Sequence, residues 1–507
     1  MAATPSFSSS SSSSSASSPL MSYLLGFSVF LTLFLSSLEK GFAMEENQLL
    51  HQHAHTVELN SLLPATSCSP SSSAKGHDNK GPTSSSTVLK VVHKHGPCSG
   101  IKKKNSKIPT HAQILKQDQA RVDSIHSRVN NKKSPSAATV DKLRPSADTK
   151  IPAQSGSVVG SGNYIVSVGL GSPKKMLSLI FDTGSDLTWT QCRPCAKSCY
   201  KQKEPIFDPA ASASYVNISC SSATCSELVS GTGNTPGCSS STCIYGIQYG
   251  DQSFSVGFFG KERLSLTPTD IFDGFLFGCG QNNQGLFGGA AGLLGLGRDK
   301  ISIIEQSALK YSRFFSYCLP SKSSGTGYLS FGKGGGSSSA VKFTPLADVS
   351  QGGSFYGLDV VGISVGGKNL PIPGTIFSSS GTIIDSGTVI TRLPPTAYKA
   401  LRDAFQQGMK SYPSAPALSI LDTCYDFSNA DTVTFPKISF AFGGGTTLEL
   451  DPTGIFYAAS ADQVCLAFAA NGDDSDIGII GNVQQKRVQV VYDVAGGKIG
   501  FAPAGCP

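Results

Sequence analysis

The most informative hydrophobic pattern in this 507-residue chain is a short apolar run that occurs twice and ends each time in a polar turn. Residues 177–181 lead into Asp182, and residues 381–384 lead into Asp385. Each aspartate is followed by a hydroxyl residue, a glycine and a second hydroxyl residue. Apolar, β-branched runs that stop at Asp and Gly are typical of strands entering tight turns. The pattern therefore predicts two matching strand–turn units.

Each turn is followed by a second shared element. Residues 292–297 follow the first turn and residues 478–482 follow the second, and each contains an apolar pair closed by glycine. An Asp turn and, roughly a hundred residues later, such a pair, repeated in the same order, indicates an internally duplicated architecture. The competing interpretation is two unrelated surface turns whose aspartates accept backbone hydrogen bonds.

Four other stretches have a clear periodicity. Residues 163–171 alternate around a glycine bend and predict a strand, and residues 244–253 predict a hairpin with a Gly–Asp turn. Farther upstream, residues 87–92 predict another strand. Thr110 is placed to cap a helix, and the apolar stripe of that helix comprises Leu115, Val122, Ile125 and Val129.

Length and composition favour a large protein rich in β-structure. A chain of 507 residues is too long for one hydrophobic core, so two or more domains are expected. The 55 glycines, 5 methionines and single tryptophan suit an all-β, turn-rich chain better than a helical one.

The net charge of +7 is concentrated in one segment. Residues 86–150 hold 14 Lys and Arg against 4 Asp and Glu, whereas residues 151–507 hold 24 against 25. The region with the repeated aspartates therefore lacks the basic surface that nucleic acid binding requires. The upstream region is polar and rich in Ser and Pro, so it is expected to be partly disordered. A basic, solvated linker is one interpretation of it.

The N-terminus has the pattern of a secretory signal peptide. Residues 1–38 carry no charged side chain, and residues 20–35 form an apolar run shorter than the ~20 residues that a membrane span needs. Small residues at 41–43 suit a cleavage site, so residues 1–43 are predicted to be the signal peptide. A plastid transit peptide and an uncleaved anchor are the alternatives, because no basic residues precede the apolar run.

Fourteen cysteines, twelve of them between Cys192 and Cys506, indicate a disulfide framework made in an oxidising compartment. Cys192, Cys195 and Cys199 have a spacing that zinc ligands also show, but no histidine cluster accompanies them. We therefore expect neither a metal nor a cofactor.

The duplicated Asp turns and their followers resemble those of the pepsin-like aspartic proteases. Residues 161–164, 247–251 and 277–280, together with a cysteine-rich insertion at 192–243, resemble the plant nepenthesin-like branch. Residues 93–98 resemble the prosegment of plant proteases described as chloroplast nucleoid DNA-binding proteases. The resemblance covers nearly everything from residue 87 to the C-terminus.

The resemblance implies an all-β, bilobal pepsin-like fold with the active site in the cleft between two related lobes. It divides the chain into a signal peptide, a basic and partly disordered prosegment, an N-terminal catalytic lobe and a C-terminal catalytic lobe, at 1–43, 44–156, 157–335 and 340–507. It also implies a zymogen, in which the basic prosegment covers an acidic cleft until activation.

Two carboxyl groups close enough to share a proton can hydrolyse an amide in acid without a metal, because like charges at that distance do not both ionise easily. The resemblance assigns this catalytic role to Asp182 and Asp385. The ionised member takes a proton from water, and the protonated member hydrogen-bonds the scissile carbonyl. Catalysis by Ser-His-Asp or Cys-His is excluded by the scarcity of histidine after residue 150.

The residues after each aspartate match the supporting positions of the family. Directly after the aspartate, a hydroxyl residue braces one turn against the other. The glycine lets backbone N–H groups approach the carboxylate, and the second hydroxyl hydrogen-bonds the outer carboxylate oxygen. These residues are Thr183, Gly184 and Ser185 in the first turn and Ser386, Gly387 and Thr388 in the second.

The resemblance also implies a flap. Tyr249, in the hairpin, matches the flap tyrosine that closes over the substrate, and Trp189 matches the indole that hydrogen-bonds it. The alternative for both is an ordinary core aromatic residue.

The family has a disulfide in the C-terminal lobe that corresponds to Cys424 and Cys465, so the resemblance implies this pair. Cys318 and Cys506 then become the next pair. The eight cysteines of the N-terminal lobe allow 105 pairings, among which the sequence does not choose.

An active endopeptidase acting on polypeptide substrates, with its own prosegment as inhibitor and no stable membrane span, is the function predicted, and we expect a monomer. One alternative is a binding protein with a protease fold, like the plant xylanase inhibitors. Such proteins usually lose an active-site residue, whereas Asp182, Asp385 and Tyr249 are all present. The other is DNA binding through the lysines at 102–104, which is not expected to persist on maturation.

The sequon at Asn217 and the cysteines predict a glycoprotein that is secreted to the apoplast or delivered to the vacuole. A chloroplast location is the alternative.

Overall fold

The computed structural model describes residues 53–65, 67–68, 86–101, 109–130, 164–249, 253–285, 287–333, 340–349 and 353–506. The chain divides into a unit at Met1–Ala54 and a unit at His55–Pro507 that contains both Asp turns. The predicted signal peptide, the lysines at 102–104 and the flap residues 250 and 251 lie outside the described residues. Within the described part of the chain, no helix is both long and apolar enough to cross a membrane.

Strands are the commonest regular structure among the described residues and helices are few, which confirms the predicted all-β class. The strands before the second Asp turn are β1 (Ala54–Glu58), β2 (Thr87–His93), β3 (Tyr164–Leu170), β4 (Lys175–Asp182), β5 (Trp189–Gln191), β6 (Val216–Asn217), β7 (Gly237–Ser239), β8 (Thr242–Gln248), β9 (Phe254–Ser265), β10 (Ile271–Gln284), β11 (Gly292–Gly295), β12 (Phe314–Cys318), β13 (Thr326–Phe331), β14 (Lys342–Ala347), β15 (Tyr356–Leu358), β16 (Val360–Val365) and β17 (Lys368–Asn369).

The remaining strands begin with the one that leads into Asp385. They are β18 (Thr382–Ile384), β19 (Thr391–Leu393), β20 (Ser414–Ala415), β21 (Cys424–Tyr425), β22 (Thr432–Pro436), β23 (Ile438–Phe442), β24 (Thr447–Glu449), β25 (Phe456–Ser460), β26 (Gln463–Leu466), β27 (Phe468–Ala470), β28 (Gly478–Ile480), β29 (Gln489–Asp493) and β30 (Lys498–Ala502).

Helices are short, with two exceptions of 20 and 14 residues. The α-helices are α1 (Leu59–Leu62), α2 (His111–Asn130), α3 (Ala223–Ser226), α4 (Leu228–Thr232), α5 (Ile303–Gln306), α6 (Ala308–Tyr311), α7 (Gly374–Ser380) and α8 (Pro395–Gly408). Single turns of 3₁₀-helix occur at Pro209–Ala211, Gly443–Gly445 and Pro452–Gly454.

The predicted duplication is present in the sheet register. Strand β11 runs parallel to β4 and places Gly295 opposite Asp182. In the second half, β28 runs parallel to β18 and places Ile480 opposite Ile384, the residue before Asp385. The apolar pairs that follow each turn in sequence are therefore the strands that support the turns, and the duplicated architecture is confirmed.

A single antiparallel sheet joins the two halves. Its strand order is β3, β2, β13, β12, β29, β30 and β14. The upstream strand β2 lies inside this sheet and pairs with β13 over the whole length of β13, from Thr87 opposite Phe331 to Val92 opposite Thr326. Val91 is fully buried there. The predicted strand at 87–92 is thus confirmed, and it is an integral part of the core.

Helix α2 forms where the sequence predicts it. The Thr110 side chain accepts a hydrogen bond from Gln113 N at 3.2 Å, and Gln113 Oε1 accepts one from Thr110 N at 2.9 Å. This reciprocal arrangement is a capping box, which satisfies N–H groups at the helix start. The apolar stripe faces inward, with Leu115, Val122 and Ile125 fully buried. The upstream region therefore contributes a docked helix, and a solvated linker is the wrong description of this part.

Candidate active site

The two Asp turns have closely matching hydrogen bonds. In the first, Gly184 N donates to Asp182 Oδ1 at 3.0 Å and Ser185 Oγ donates to Asp182 Oδ2 at 2.7 Å. In the second, Gly387 N donates to Asp385 Oδ1 at 3.0 Å and Thr388 Oγ1 donates to Asp385 Oδ2 at 2.6 Å. Both carboxylates are buried. Each carboxylate therefore has its orientation set by donors from its own turn.

The turns are tied to each other by their first hydroxyl residues. Ser386 N donates to Thr183 Oγ1 at 2.9 Å, and Thr183 N donates to Ser386 Oγ at 3.2 Å. Because each hydroxyl oxygen accepts from the backbone of the opposite turn, a shift of one turn would break bonds on both sides. The serine at 386 preserves this bracing because only the hydroxyl is used.

Glycine is required at both turns by the closeness of the opposite carboxylate. A Cβ on Gly184 would lie 2.8 Å from Asp385 Oδ1, which is closer than a carbon and an oxygen can approach. A Cβ on Gly387 would clash in the same way with Asp182 Oδ1. The two aspartates therefore meet across the boundary between the two halves, which brings the separate sequence motifs into one site.

Arg121 of helix α2 occupies the centre of this site. Its Nη2 atom donates to Asp182 Oδ1 at 2.7 Å and to Asp385 Oδ2 at 2.8 Å, and its Nε donates to Asp385 Oδ2 at 3.0 Å. The guanidinium thus neutralises part of the charge of both carboxylates and fills the space between them.

The ion pair shifts the acid–base behaviour of the first aspartate. Burial by itself raises the pKa of Asp182, but the positive charge of Arg121 and the hydrogen bonds from Arg121, Ser185 and Gly184 outweigh it. The pKa of Asp182 consequently lies below its ordinary value. Acid must therefore overcome the Arg121 contact in order to protonate the site.

A second contact holds the same helix one turn earlier. Asp118 accepts hydrogen bonds from Val389 N at 2.6 Å and from Ile390 N at 3.1 Å, and its Oδ2 lies 3.1 Å from Arg392 Nη2. Both side chains of this ion pair are fully buried. Burial raises the pKa of Asp118, and Arg392 with the two N–H donors partly offsets this effect. Removal of either partner would therefore leave an uncompensated buried charge.

Farther along, the end of helix α2 is anchored by weaker contacts. His126 Nε2 lies 3.0 Å from the carbonyl oxygen of Ile477, and the guanidinium of Arg128 lies 4.9 Å from the centre of the Phe355 ring. The helix therefore follows the site from residues 118 to 128, with its strongest contacts at the aspartates.

The predicted flap pair is in contact. Trp189 Nε1 donates to the hydroxyl oxygen of Tyr249 at 2.8 Å, and both rings pack edge-on against Phe287. Trp189 is fully buried. The indole thus satisfies its only polar atom with the tyrosine hydroxyl, as a buried tryptophan requires.

Every cysteine in the chain is in a disulfide. Cys424 is bonded to Cys465, and Cys318 is bonded to Cys506. The eight cysteines whose pairing the sequence left open form Cys192–Cys279, Cys195–Cys199, Cys220–Cys238 and Cys225–Cys243. Farther upstream, Cys68 is bonded to Cys98. The Cys192, Cys195 and Cys199 sulfurs are thereby engaged in disulfides rather than present as thiolates.

Asn217, the predicted glycosylation site, is the last residue of β6 and is exposed. Its side-chain oxygen accepts a hydrogen bond from the Tyr215 hydroxyl at 2.8 Å. The position is accessible to modification, but it lies away from the aspartates in sequence and takes no part in their contacts.

Sequence reasoning missed Asp118, Arg121 and Arg392. The apolar stripe predicted helix α2, but the charged residues on the same buried face were not predicted to form ion pairs. Asp118 and Arg121 lie three residues apart, between Leu115 and Ile125, and so share the buried face. A charged pair on a buried face needs partners of opposite charge, and this was the available signal.

Known protein families and relatives match most of the chain. Residues 164–333 match a family described as "Xylanase inhibitor N-terminal", and residues 355–503 match one described as "Xylanase inhibitor C-terminal". An aspartyl protease family protein of Arabidopsis thaliana is 57% identical over 453 residues, covering 89% of this chain and 93% of the relative. Aspartyl protease AED1 of the same plant is 50% identical, covering 89% and 92%.

More distant relatives share the same fold. Nepenthesin-2 of Nepenthes gracilis, an aspartic proteinase, is 37% identical over 358 residues, covering 68% of this chain and 78% of the relative. Among solved structures, edgp has a TM-score of 0.56 at 20% identity, covering 69% of this chain and 93% of that chain. Soybean basic 7S globulin has a TM-score of 0.53 at 22% identity, with 67% and 92% covered.

The fold is the bilobal, all-β fold of pepsin-like proteins, and the chain has aspartic protease relatives along most of its length. It belongs to the plant pepsin-like aspartic proteases, a family that includes the nepenthesins. The protein is accordingly a peptidase of the aspartic type, with polypeptides as its substrates.

Proposed function

We propose that this chain is an endopeptidase that acts in acid through Asp182 and Asp385 sharing one proton. The observation that best supports this mechanism is the single atom Arg121 Nη2, which is within hydrogen-bond reach of both carboxylates. Carboxylates that share one donor are close enough for their ionisations to be coupled. In the activated enzyme, the ionised member takes a proton from water, and the protonated member polarises the scissile carbonyl.

The same contact supports synthesis as a zymogen. Arg121 occupies the place that the catalytic water needs, and helix α2 follows the site on both sides of it. We infer that the upstream segment, residues 44–156, is the prosegment and inhibits the enzyme within the same chain. Lobes at 157–335 and 340–507 then form the mature protease.

A binding protein without catalysis is the competing function, because the matched families are described as xylanase inhibitors. The completeness of the site favours catalysis. Both aspartates, both outer hydroxyls and the bracing hydroxyls make the contacts described above, and the Trp189–Tyr249 hydrogen bond is present as well.

The decisive experiment measures hydrolysis of a denatured protein substrate by the purified full-length chain across acid and neutral pH, with and without pepstatin. We expect activity in acid that pepstatin blocks and that the Asp182→Asn variant lacks. The exposed Asp273→Asn substitution removes the same charge and serves as the control. Full activity of Asp182→Asn would overturn the proposed mechanism, and inactivity of the wild-type chain in acid would favour the binding protein.

Secretion or vacuolar delivery of a monomer is the location and state that we propose. Seven disulfides require an oxidising compartment, and the sequon at Asn217 is exposed. A C-terminal fluorescent fusion should therefore appear outside the cell or in the vacuole. Fluorescence confined to chloroplasts would contradict the proposal and favour the plastid alternative.

A further inference from the structure

Helix α2 presents a carboxylate to the C-terminal half of the molecule at a place that is distinct from the catalytic aspartates. Asp118 accepts hydrogen bonds from two consecutive backbone N–H groups, Val389 N at 2.6 Å and Ile390 N at 3.1 Å. The third partner is Arg392 Nη2, 3.1 Å from Asp118 Oδ2. Two N–H groups and a guanidinium that converge on one carboxylate form an anion site made by residues 389–392.

The Arg392 guanidinium makes few hydrogen bonds with residues of its own half of the molecule. Its Nη1 donates to the carbonyl oxygen of Ile390 at 2.9 Å, whereas its Nη2 is engaged by Asp118 and Gln119 of helix α2. Its Nε is buried and has no hydrogen-bond partner among the described residues. Departure of the helix would thus leave at least two guanidinium donors and two backbone N–H groups in need of an acceptor.

The anion site lies next to the catalytic aspartates. Asp118 and Arg121 are three residues apart in one helix, so they differ by about 4.5 Å along its axis, and Arg121 contacts both aspartates. An extended substrate advances by about 3.3 Å per residue. A side chain bound at residues 389–392 therefore belongs to a substrate residue close to the scissile bond.

The equivalent position in the first half of the molecule indicates that Arg392 faces the substrate cleft. Arg392 lies seven residues after Asp385, just as Trp189 lies seven residues after Asp182. The two positions also have equivalent strand partners, because Trp189 pairs with Leu293 and Arg392 pairs with Ile479. Since Trp189 holds the flap tyrosine, its counterpart is also placed at the edge of the cleft.

We propose that Arg392, with the N–H groups of Val389 and Ile390, forms a subsite that binds the acidic side chain of a substrate residue near the scissile bond. Asp118 occupies this subsite in the zymogen in the way that a substrate Asp or Glu does in the activated enzyme. The inference rests on the proposed endopeptidase function and adds to it a substrate class, polypeptides with an acidic residue beside the cleaved bond.

The test uses the full-length chain after acid activation, and a set of internally quenched peptides with blocked termini. One peptide position at a time, from three residues before the scissile bond to three after it, carries either Asp or Asn, and kcat/KM is measured at about pH 5, above the ordinary Asp pKa of about 3.9. We expect Asp to exceed Asn by at least about tenfold at one position, because hydrogen bonds to a charged group are the stronger ones.

Variants assign this preference to the arginine. Arg392→Gln should abolish the Asp-over-Asn preference, and Arg392→Glu should replace it with a preference for Lys at the same position. Arg402→Gln removes an arginine from α8 of the same half and should leave the preference unchanged. If the Arg392 variants do not fold, the comparison of Asp and Asn peptides with the wild-type enzyme still decides.

Equal cleavage of Asp and Asn peptides at every position would overturn the subsite and leave the proposed function intact. It would mean that Arg392 serves only to anchor helix α2. A preference that survives Arg392→Gln would also overturn the assignment. Failure to cleave any peptide would overturn the endopeptidase and the subsite together.

Discussion

The two Asp turns are near copies of each other, but the residues beyond them differ in chemistry. Six residues after each aspartate, a threonine hydroxyl accepts a hydrogen bond from the supporting glycine: Gly295 N to Thr188 at 3.2 Å and Gly481 N to Thr391 at 3.0 Å. At the next position the first half has Trp189 and the second half has Arg392. Both side chains are fully buried.

This difference shows which positions of the two duplicated halves remain the same and which diverge. The aspartates and hydroxyls match because, in the proposed mechanism, both carboxylates act on one water and each is oriented by donors from its own turn. The seventh residue after each aspartate can differ between the halves because it takes no part in the proposed sharing of a proton. In the first half it holds a tyrosine through an indole N–H; in the second it holds a carboxylate through a guanidinium.

The largest expected effect tests the likeness of the turns. Asp182→Asn and Asp385→Asn should each lower kcat by about 10³-fold or more, because general acid–base catalysis is lost. The double variant should lose little beyond either single variant, since the pair acts as one unit. Substantial activity in one of the two single variants would show that the two aspartates do not contribute equally to catalysis. Circular dichroism checks that the variants are folded.

The next effect concerns Arg121, which contacts both turns. The lowered pKa of Asp182 means that this ion pair stabilises the docked helix above the ordinary carboxylate pKa and loses that contribution as the pH falls through the lowered value. The raised pKa of Asp118 acts in the opposite sense. The proposed wild-type zymogen should therefore need strong acid for conversion to the mature enzyme. Arg121→Gln should convert at higher pH, and about tenfold faster at a given acid pH.

Lys116→Gln is the matched control for Arg121→Gln, because Lys116 lies on the exposed side of the same helix. It removes one positive charge without touching the aspartates and should convert like the wild type. Gel analysis of conversion half-times at several pH values measures both variants. An unchanged pH of conversion in Arg121→Gln would show that the aspartate contact does not hold the prosegment.

A smaller effect is expected at the flap. Tyr249→Ala should lower turnover by about tenfold, since a cleft that closes poorly positions its substrate poorly. Tyr249→Phe, which loses only the acceptor for Trp189 Nε1, should lose less. Circular dichroism should show an unchanged fold, because Tyr249 lies at the end of a hairpin and is only partly buried. Wild-type turnover in Tyr249→Ala would remove this residue from the flap.

Loss of a disulfide should affect catalysis least. It compares the two halves through the stability that one disulfide contributes to each of them. Opening Cys424–Cys465, which are 41 residues apart, should lower the free energy of unfolding by up to about 4 kcal/mol. Opening Cys195–Cys199, 4 residues apart, should cost about 2 kcal/mol. Denaturant melts of the paired Cys→Ala variants measure both. A larger loss from the short loop would show that loop entropy does not govern these bonds.

The sequence by itself determined the elements whose signals are local. The apolar runs ending at Asp182 and Asp385 were readable as strands and turns because alternation and turn residues act over a few positions. Helix α2 was readable from the Thr110 cap and the spacing of Leu115, Val122 and Ile125 for the same reason. Repetition of the turn and its supporting strand then indicated duplication, which the register of β11 and β28 confirms.

Only the tertiary structure decided which residues meet. Arg121 and the two aspartates, and likewise Asp118 and Arg392, are separated by long stretches of chain, so no local periodicity relates them. The pairing of the eight cysteines from Cys192 to Cys279 was open for the same reason. Burial made these contacts selective: a charge on the inner face of helix α2 is tolerated only where the folded sheet supplies a partner of opposite charge.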